Sequence, residues 1–379
     1  MSYSKIILEN KEWVESTFKK IDNKLSKVAI RSRNKLPFTV SKEGVHNDFT
    51  NRDITWWTNG FFGGMMWLMY NETHNPEYMA TAKVSECKLQ GAFKAFDGLH
   101  HDVGFMYHLT SGASYRLTGD KVSRAINLIA ANMLAGRYNL KGEFIRAWNI
   151  PDSEGWTIID GMMNIPLLYW ASRELNDERF KHIAVKQAEM CARDHVREDG
   201  TVNHIVMHDV NEAGKVLGTR GGQGFGEGSC WSRGQSWAVY GFILSYIHTK
   251  DEKYLQTAKR VADLFIEETE KTDWLPRADF RQPPEPVVYD ATAGAISACG
   301  LIEIAKYVPE NEQEKYLSAA VNILKAMEKD WCDWDDQTDG ILMMGSGSYH
   351  YERHMNIIYG DFYFTEAILK LKGSDFLIW

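Results

Sequence analysis

The chain is short of everything that marks a disordered, fibrous, membrane-spanning or disulfide-stapled protein. Only 9 of its 379 residues are proline and 5 are cysteine, too few for a proline-rich, collagen-like or disulfide-scaffold chain. Cys87, Cys191, Cys230, Cys299 and Cys332 are odd in number, scattered and without CxxC spacing. They read as free thiols in a reducing compartment, with no zinc knuckle. No run of about 18 apolar residues occurs, so no membrane span is expected. Positive charge is not in excess: the formal net charge is −8, and no basic field attracts nucleic acid or an anionic membrane surface. The opening MSYSKIILENKEWVE has only a short apolar stretch before charges resume, whereas an export signal needs roughly 7–15 apolar residues. A cytoplasmic protein is the expectation. With 44% hydrophobic and 25% charged residues, the composition is that of a globular chain. Aromatic residues are abundant: 13 Trp, 17 Tyr and 17 Phe, enough for a large core and for ring-stacking surfaces besides.

Length alone suggests about two domains, but the patterning argues for one. After an N-terminal helix over about residues 9–30, helical segments come in pairs. The first of each pair is apolar nearly all round, as in Gly161–Leu168, Trp237–Leu244 and Ala295–Ile302, which marks a buried helix. The second is amphipathic and opens on a short polar turn, as at Asn75, Asn176, Asp251 and Glu312. In each of these an aromatic is followed four residues later by alanine: Tyr78/Ala82, Phe180/Ala184, Tyr254/Ala258 and Tyr316/Ala320. That spacing places both on one helix face, the small residue allowing close approach; a weaker copy starts at Asp120. The internal repeat predicts six inner helices starting near residues 57, 102, 160, 233, 290 and 360, each with an outer partner. No polar capping repeat is present, as an open solenoid would need. The expected fold is therefore all-α, a closed (α/α)6 toroid. Residues 1–379 are expected to form a single barrel domain, with 1–50 as N-terminal helix and extended lead-in. Strands are confined to short candidates such as Thr201–Met207.

Four inner helices begin at an aspartate: Asp102, Asp160, Asp290 and Asp361. Aspartate is a preferred N-cap, so each has a purely structural reading. In a toroid, however, the inner helices run the same way and all four carboxyls point to one rim. Clustered carboxylates raise one another's pKa, and the one in the most apolar place stays protonated as an acid. Asp160, beside Ile158, Ile159 and Met162, is the better proton donor on these grounds. The neighbouring loops mix Trp with Gly, Gln and Arg (TWWTNGFFGG, EFIRAWNIPDSEGW, RGGQGFGEGSCWSRGQSW), a combination suited to stacking on sugar rings, and Arg233 or Arg220 can bind a carboxylate in bidentate fashion. The Gly-rich stretch 221–228 lacks a phosphate-loop pattern. His100-His101-Asp102 resembles metal ligands, but adjacent histidines on a helix point to different faces and no third ligand has fitting spacing; no metal is expected.

The segments HHDVGF (100–105), IIDGMMNIPLLYWA (158–171), SCWSRGQSW (229–237), DATAGAISACGLIEIA (290–305), GSYH (347–350) and YGDFYFTEAIL (359–369) resemble the unsaturated glucuronyl hydrolases of glycoside hydrolase family 88, from about residue 50 to the C-terminus. The resemblance implies an (α/α)6 barrel that removes 4,5-unsaturated glucuronic acid from lyase-generated oligosaccharides by hydrating the C4=C5 vinyl ether. It implies Asp160 as general acid/base, Asp102 as its partner against the ring hydroxyls, and a pocket lined by Trp57, His101, His204, Gln223, Trp231, Arg233, Trp237 and Tyr349. His100 and His108 are left as structural. Nothing in this chemistry needs a metal, nucleotide or redox cofactor. The partner is a small unsaturated uronic-acid oligosaccharide, and the protein is expected to be a monomer or homodimer. Streptococcal relatives that prefer sulfated substrates share a Ser-x-x-Ser-x-Lys pattern. Here Ser346-Gly347-Ser348-Tyr349-His350-Tyr351 lacks its second serine and lysine, which argues against a strong 6-sulfate preference; Arg353 and His354 remain as positive groups. The neighbouring alternatives are a rhamnogalacturonyl hydrolase acting on pectin fragments, another toroid sugar enzyme such as an inverting glycosidase or epimerase, and a non-catalytic helical-repeat protein. HHDVGF favours the glucuronyl branch.

Overall fold

The polar turns ahead of the amphipathic segments do start helices. Side chains of Asn75, Asp120, Asp177 and Asp251 accept hydrogen bonds from the N–H groups of Glu77, Val122, Arg179 and Lys253, each cap contributing about 1 kcal/mol. The helices they open are Pro76–Leu89, Lys121–Gly136, Glu178–Met190 and Glu252–Glu270. In this computed structural model, which describes residues 5–379, Lys11–Arg31 and Glu310–Trp331 complete the outer layer. The aromatic–alanine pairs are what hold that layer down: Tyr78, Ala82, Phe180, Ala184, Tyr254, Ala258, Tyr316 and Ala320 are all fully buried. The three tyrosine hydroxyls also donate to the preceding outer helix, at Asp22 (2.7 Å), the Val185 carbonyl (3.3 Å) and Asp263 (3.0 Å). The sequence repeat is thus a repeated lateral stitch.

Inside lie Phe61–Thr73, Gly104–Gly112 running on into Ala113–Thr118, Gly161–Asn164 running on into Pro166–Leu175, Ser232–Thr249, Ala291–Ala305 and Ile358–Lys372. They begin within a few residues of the expected starts. Each packs on the next in chain order, and the last packs on the first. The ring is closed, an (α/α)6 barrel built from six hairpins among the described residues. Inside the ring Trp379 packs against Phe105, Tyr240, Phe362 and Tyr363 of the inner helices. It stacks on Tyr363 (5.8 Å between centroids, 3° between planes) and donates to Glu366 at 3.1 Å. Glu366 also accepts from the Tyr240 hydroxyl, and Lys370 pairs with Glu303 at 2.6 Å.

The open end carries the long connections. Strands β1 (Tyr138–Asn139) and β2 (Phe144–Ile145) form a hairpin; β3 (Trp156–Ile158), β4 (Ile205–His208) and β5 (Val216–Arg220) form an antiparallel sheet in that order. The expected Thr201–Met207 strand is β4, shifted by a few residues. Its partners escape the sequence because segments this short show too little alternation to read. Residues 32–56 form an irregular connection with several turns, pinned to the 339–357 segment, where the His46 N–H donates to Asp339 (2.8 Å) and Thr39 bridges to Ile357.

Candidate active site

Asp102 and Asp160 meet around one imidazole. Nε2 of His101 lies 3.5 Å from Asp102 Oδ1 and 3.6 Å from Asp160 Oδ1. Asn164, one helical turn beyond Asp160, donates from Nδ2 to Asp102 Oδ1 at 2.9 Å and accepts from the Phe105 N–H on Oδ1. This clasp requires glycine at 104, because a Cβ there would sit 2.6 Å from the Asn164 backbone and side chain. Burial pushes the Asp160 carboxyl up to about 7, against the opposing pull of the Arg233 charge. Burial, and then the Asp160 charge, holds Asp102 well above the usual carboxylate range, opposed by the Asn164 hydrogen bond. Burial also keeps His101 well below its ordinary value, hence neutral. Two carboxyls that both resist ionisation hold a proton between them near neutral pH.

Several polar atoms here are buried yet unpartnered: Asp160 Oδ1, His100 Nδ1, His101 Nε2 and His204 Nε2. His100 Nδ1, His101 Nε2 and Asp160 Oδ1 face charged or imidazole neighbours at 3.3–3.6 Å, long contacts that leave their hydrogen-bonding capacity open to a polar ligand. His204 is set for the same task. Its Nδ1 lies 3.0 Å from the Gln223 N–H and 3.3 Å from the Gly221 carbonyl, and burial keeps the ring neutral by lowering it to about 3. Gly222, at φ +58, lies against this imidazole, where a Cβ would come within 2.1 Å of Nδ1. Aromatic rings supply the walls. Trp57 lies 5.1 Å from Tyr359 and 5.4 Å from Phe105, and Phe105 lies 5.4 Å from Trp237. Trp231 packs on His204 at 4.1 Å, with the Arg233 guanidinium 4.5 Å over its ring.

A paired-carboxyl cluster with neutral imidazoles and aromatic walls is suited to proton transfer. The Glycosyl Hydrolase Family 88 model matches residues 30–244. The chain belongs to that family. An unsaturated glucuronyl hydrolase of Bacillus sp. (strain GL1) is 34% identical over 340 residues, 86% of this chain and 89% of its own length. The crystal structure of the Bacillus sp. GL1 enzyme superposes with a TM-score of 0.87 at 30% identity, over 94% of this chain and 97% of that one. An unsaturated chondroitin disaccharide hydrolase of Streptococcus pneumoniae (strain ATCC BAA-255 / R6) is 31% identical over 355 residues, covering 88% of this chain and 86% of the relative. A mutant unsaturated glucuronyl hydrolase from Streptococcus agalactiae, complexed with dGlcA-GalNAc6S, superposes with a TM-score of 0.80 at 26% identity, over 97% and 93% of the two chains.

Within this family-88 barrel two of the four aspartates at the starts of inner helices are engaged by other groups. Asp290 caps its helix by accepting from the Thr292 N–H and pairs with Arg233 at 2.6 Å. Asp361 accepts from the N–H groups of Ile341 and Leu342 and from Asn356. Both are structural ties, leaving Asp102 and Asp160 as the pair. Asp160 is not the more enclosed: its side chain keeps 15% of its exposure against 5% for Asp102, because Ile159 and Met162 turn into the core while the carboxyl does not. Arg233 is fully buried, and its guanidinium is committed to Asp290, to the Ser346 carbonyl and to Gly347 O at 2.7 Å. It anchors the 346–349 loop rather than offering a free fork to a carboxylate. Tyr349 packs with Ala278 and Val288, its N–H donating to Gln223 O. Gln223 donates in turn to Gly347 O. His100 and His101 converge with Asp102, ligand atoms within 4.8 Å of one another, because residues 100–103 form a turn and not a helix. His208 and His350 lie elsewhere, on Thr157 and on the Phe225 carbonyl. Tyr359, Phe105 and Asn164 were missed, although the first two fall inside the motifs YGDFYF and HHDVGF, and Asn164 stands at i+4 from Asp160.

Trp57 is half-buried at the end of the aromatic wall, the position of a stacking platform. Trp57→Ala should raise KM about fivefold with a smaller change in kcat, one stacked ring being worth about 1 kcal/mol. An unchanged KM in steady-state kinetics would remove it from the pocket.

Proposed function

We propose that the chain is an unsaturated glucuronyl hydrolase, removing a 4,5-unsaturated uronic acid from the non-reducing end of oligosaccharides released from glycosaminoglycans by lyases. The observation that carries this reading is the Asp102–His101–Asp160 cluster, with its more accessible carboxyl held near 7. An acid/base works best with a pKa near the working pH, and Asp160 meets that condition. It gives its proton to C4 while a water oxygen bonds to C5, and the carboxylate so formed takes the water's proton. The hemiketal at C5 then opens and the remaining sugar leaves as an alcohol. Asp102, fixed by Asn164, and the neutral imidazoles of His101 and His204 meet the ring hydroxyls. Because the anomeric carbon is not attacked, the spacing rule for ordinary glycosidase carboxylates does not govern the outcome. The relatives' names, and the sugar held by the Streptococcus agalactiae enzyme, support a small saccharide substrate. None of the helices among the described residues is long and apolar enough to cross a membrane.

The test is loss of ultraviolet absorbance by unsaturated chondroitin, hyaluronan and heparin disaccharides; a protein that leaves every double bond intact is not this enzyme. Asp102→Asn keeps an acceptor for Asn164 but removes the carboxyl that shares the pair's proton. We expect kcat/KM to fall about 10²-fold with the melting temperature little changed. Near-normal kinetics would reduce Asp102 to a structural turn residue.

A further inference from the structure

Each strand of the rim sheet meets the pocket at one end. β3 finishes two residues before Asp160, β4 follows directly on His204, and β5 leads into Gly221–Gln223. The register pairs Trp156 with Met207, Ile158 with Ile205, and Ile205 with Arg220, so these side chains share one face running outward from the pocket. On that face the Arg220 guanidinium lies 4.7 Å over the Trp156 ring. Its Nε donates to the Met207 sulfur, a weak acceptor. Among the described residues no carboxylate stands within ion-pair distance of it, although Glu227 lines the same cavity. Three other arginines of this end are committed: Arg146 to the carbonyls of Trp148 and Ile150, Arg281 to Asp199, Arg233 to Asp290. The cavity over the face measures about 660 Å³ and takes in Trp148, Trp156, Arg220, Gln223 and Tyr351, within the range of roughly 300–1,000 Å³ found for small-ligand sites. Gln223 belongs to this cavity and, through its N–H on His204, to the pocket.

We infer that this face receives the leaving saccharide, and that Arg220, stacked on Trp156, selects one bearing an anionic group, sulfate or carboxylate. The inference rests on the proposed hydrolase reading, since it needs a sugar departing from the pocket. A guanidinium pre-ordered on an aromatic ring gives up little entropy when it pairs with an oxyanion, and its fork matches sulfate and carboxylate alike. It supplies a positive group on the sheet where the Ser-x-x-Ser-x-Lys pattern is missing from the 346–351 loop.

The experiment compares kcat/KM for three substrates: an unsulfated unsaturated disaccharide, its sulfated counterpart, and an unsulfated tetrasaccharide whose second uronic acid carries the carboxylate. Wild type should favour at least one anionic leaving group. In Arg220→Gln that preference should fall about tenfold, through KM, the size expected for one charge-assisted pair, and Arg220→Lys should restore part of it. Sulfate and carboxylate are told apart by which substrate loses its advantage. Equal turnover of all three by wild type, or an equal loss on all three in Arg220→Gln, overturns the inference. Should wild type process none of them, the hydrolase reading falls. Calorimetric titration of the same sugars into wild type and Arg220→Gln then decides the anion preference separately: a preference abolished by the substitution upholds the site, and none overturns it.

Discussion

Replacing Asp160 by asparagine should stop turnover and, at neutral pH and above, make the protein harder to unfold. Asparagine has the same shape and still accepts hydrogen bonds, but it can neither give C4 a proton nor take one from water. The expected loss is about 10²–10⁴-fold in kcat, the usual share of a general acid/base. The stability gain follows from linkage. The carboxyl is raised from 3.8 to about 7 by burial, so folding binds a proton and the folded state loses stability as pH rises from 3.8 to about 7. Above that the whole penalty is present; below 3.8 it is absent. Asp160→Asn removes the penalty, so its melting temperature should exceed wild type by a few degrees at pH 8 and match it at low pH. In the wild type, kcat/KM should fall as pH rises through about 7, where the free enzyme loses the proton. Undiminished turnover by the variant would end the proposal for this residue. A lower melting temperature at pH 8 would show the carboxylate to be stabilising.

The helix plan was legible because it is periodic: all-round apolar segments alternate with capped amphipathic ones, and the aromatic–alanine pairs repeat at one spacing. The site was legible in its motifs and less so in its electrostatics. Ile158, Ile159 and Met162 suggested an apolar setting for Asp160, yet chain neighbours of a residue at the end of a strand point elsewhere, and its setting comes from His101 and Arg233, 59 and 73 positions away. The same distance in sequence hid the fate of Arg233. An arginine among tryptophans reads as a ligand for an anion until Asp290, from the next inner helix, is seen to occupy it. The β3–β4–β5 sheet was hidden for a different reason, its strands being only three to five residues long.

Arg233 carries the second large expectation. It and Asp290 are both essentially fully buried, and removing one partner leaves the other charge without compensation, which costs about 3–5 kcal/mol. Arg233→Met should therefore unfold at a markedly lower denaturant concentration. Arg233→Met combined with Asp290→Asn should recover most of the loss, since asparagine can keep the cap on the Thr292 N–H. What the double variant cannot recover is the grip on the Ser346 and Gly347 carbonyls. The loop that carries Tyr349 and meets Gln223 is then held less firmly, and KM should rise. The decisive measurement is the pH profile. The Arg233 charge is the main force pulling the Asp160 carboxyl down against burial; without it that group should hold its proton to higher pH. The alkaline fall of kcat/KM should then begin above the wild-type value of about 7, even as the maximum rate drops. A merely structural Arg233 would lower activity at every pH and leave the position of that fall unchanged. An unmoved limb in the refolded double variant would therefore separate Arg233 from the proton chemistry and leave it only its role as loop anchor.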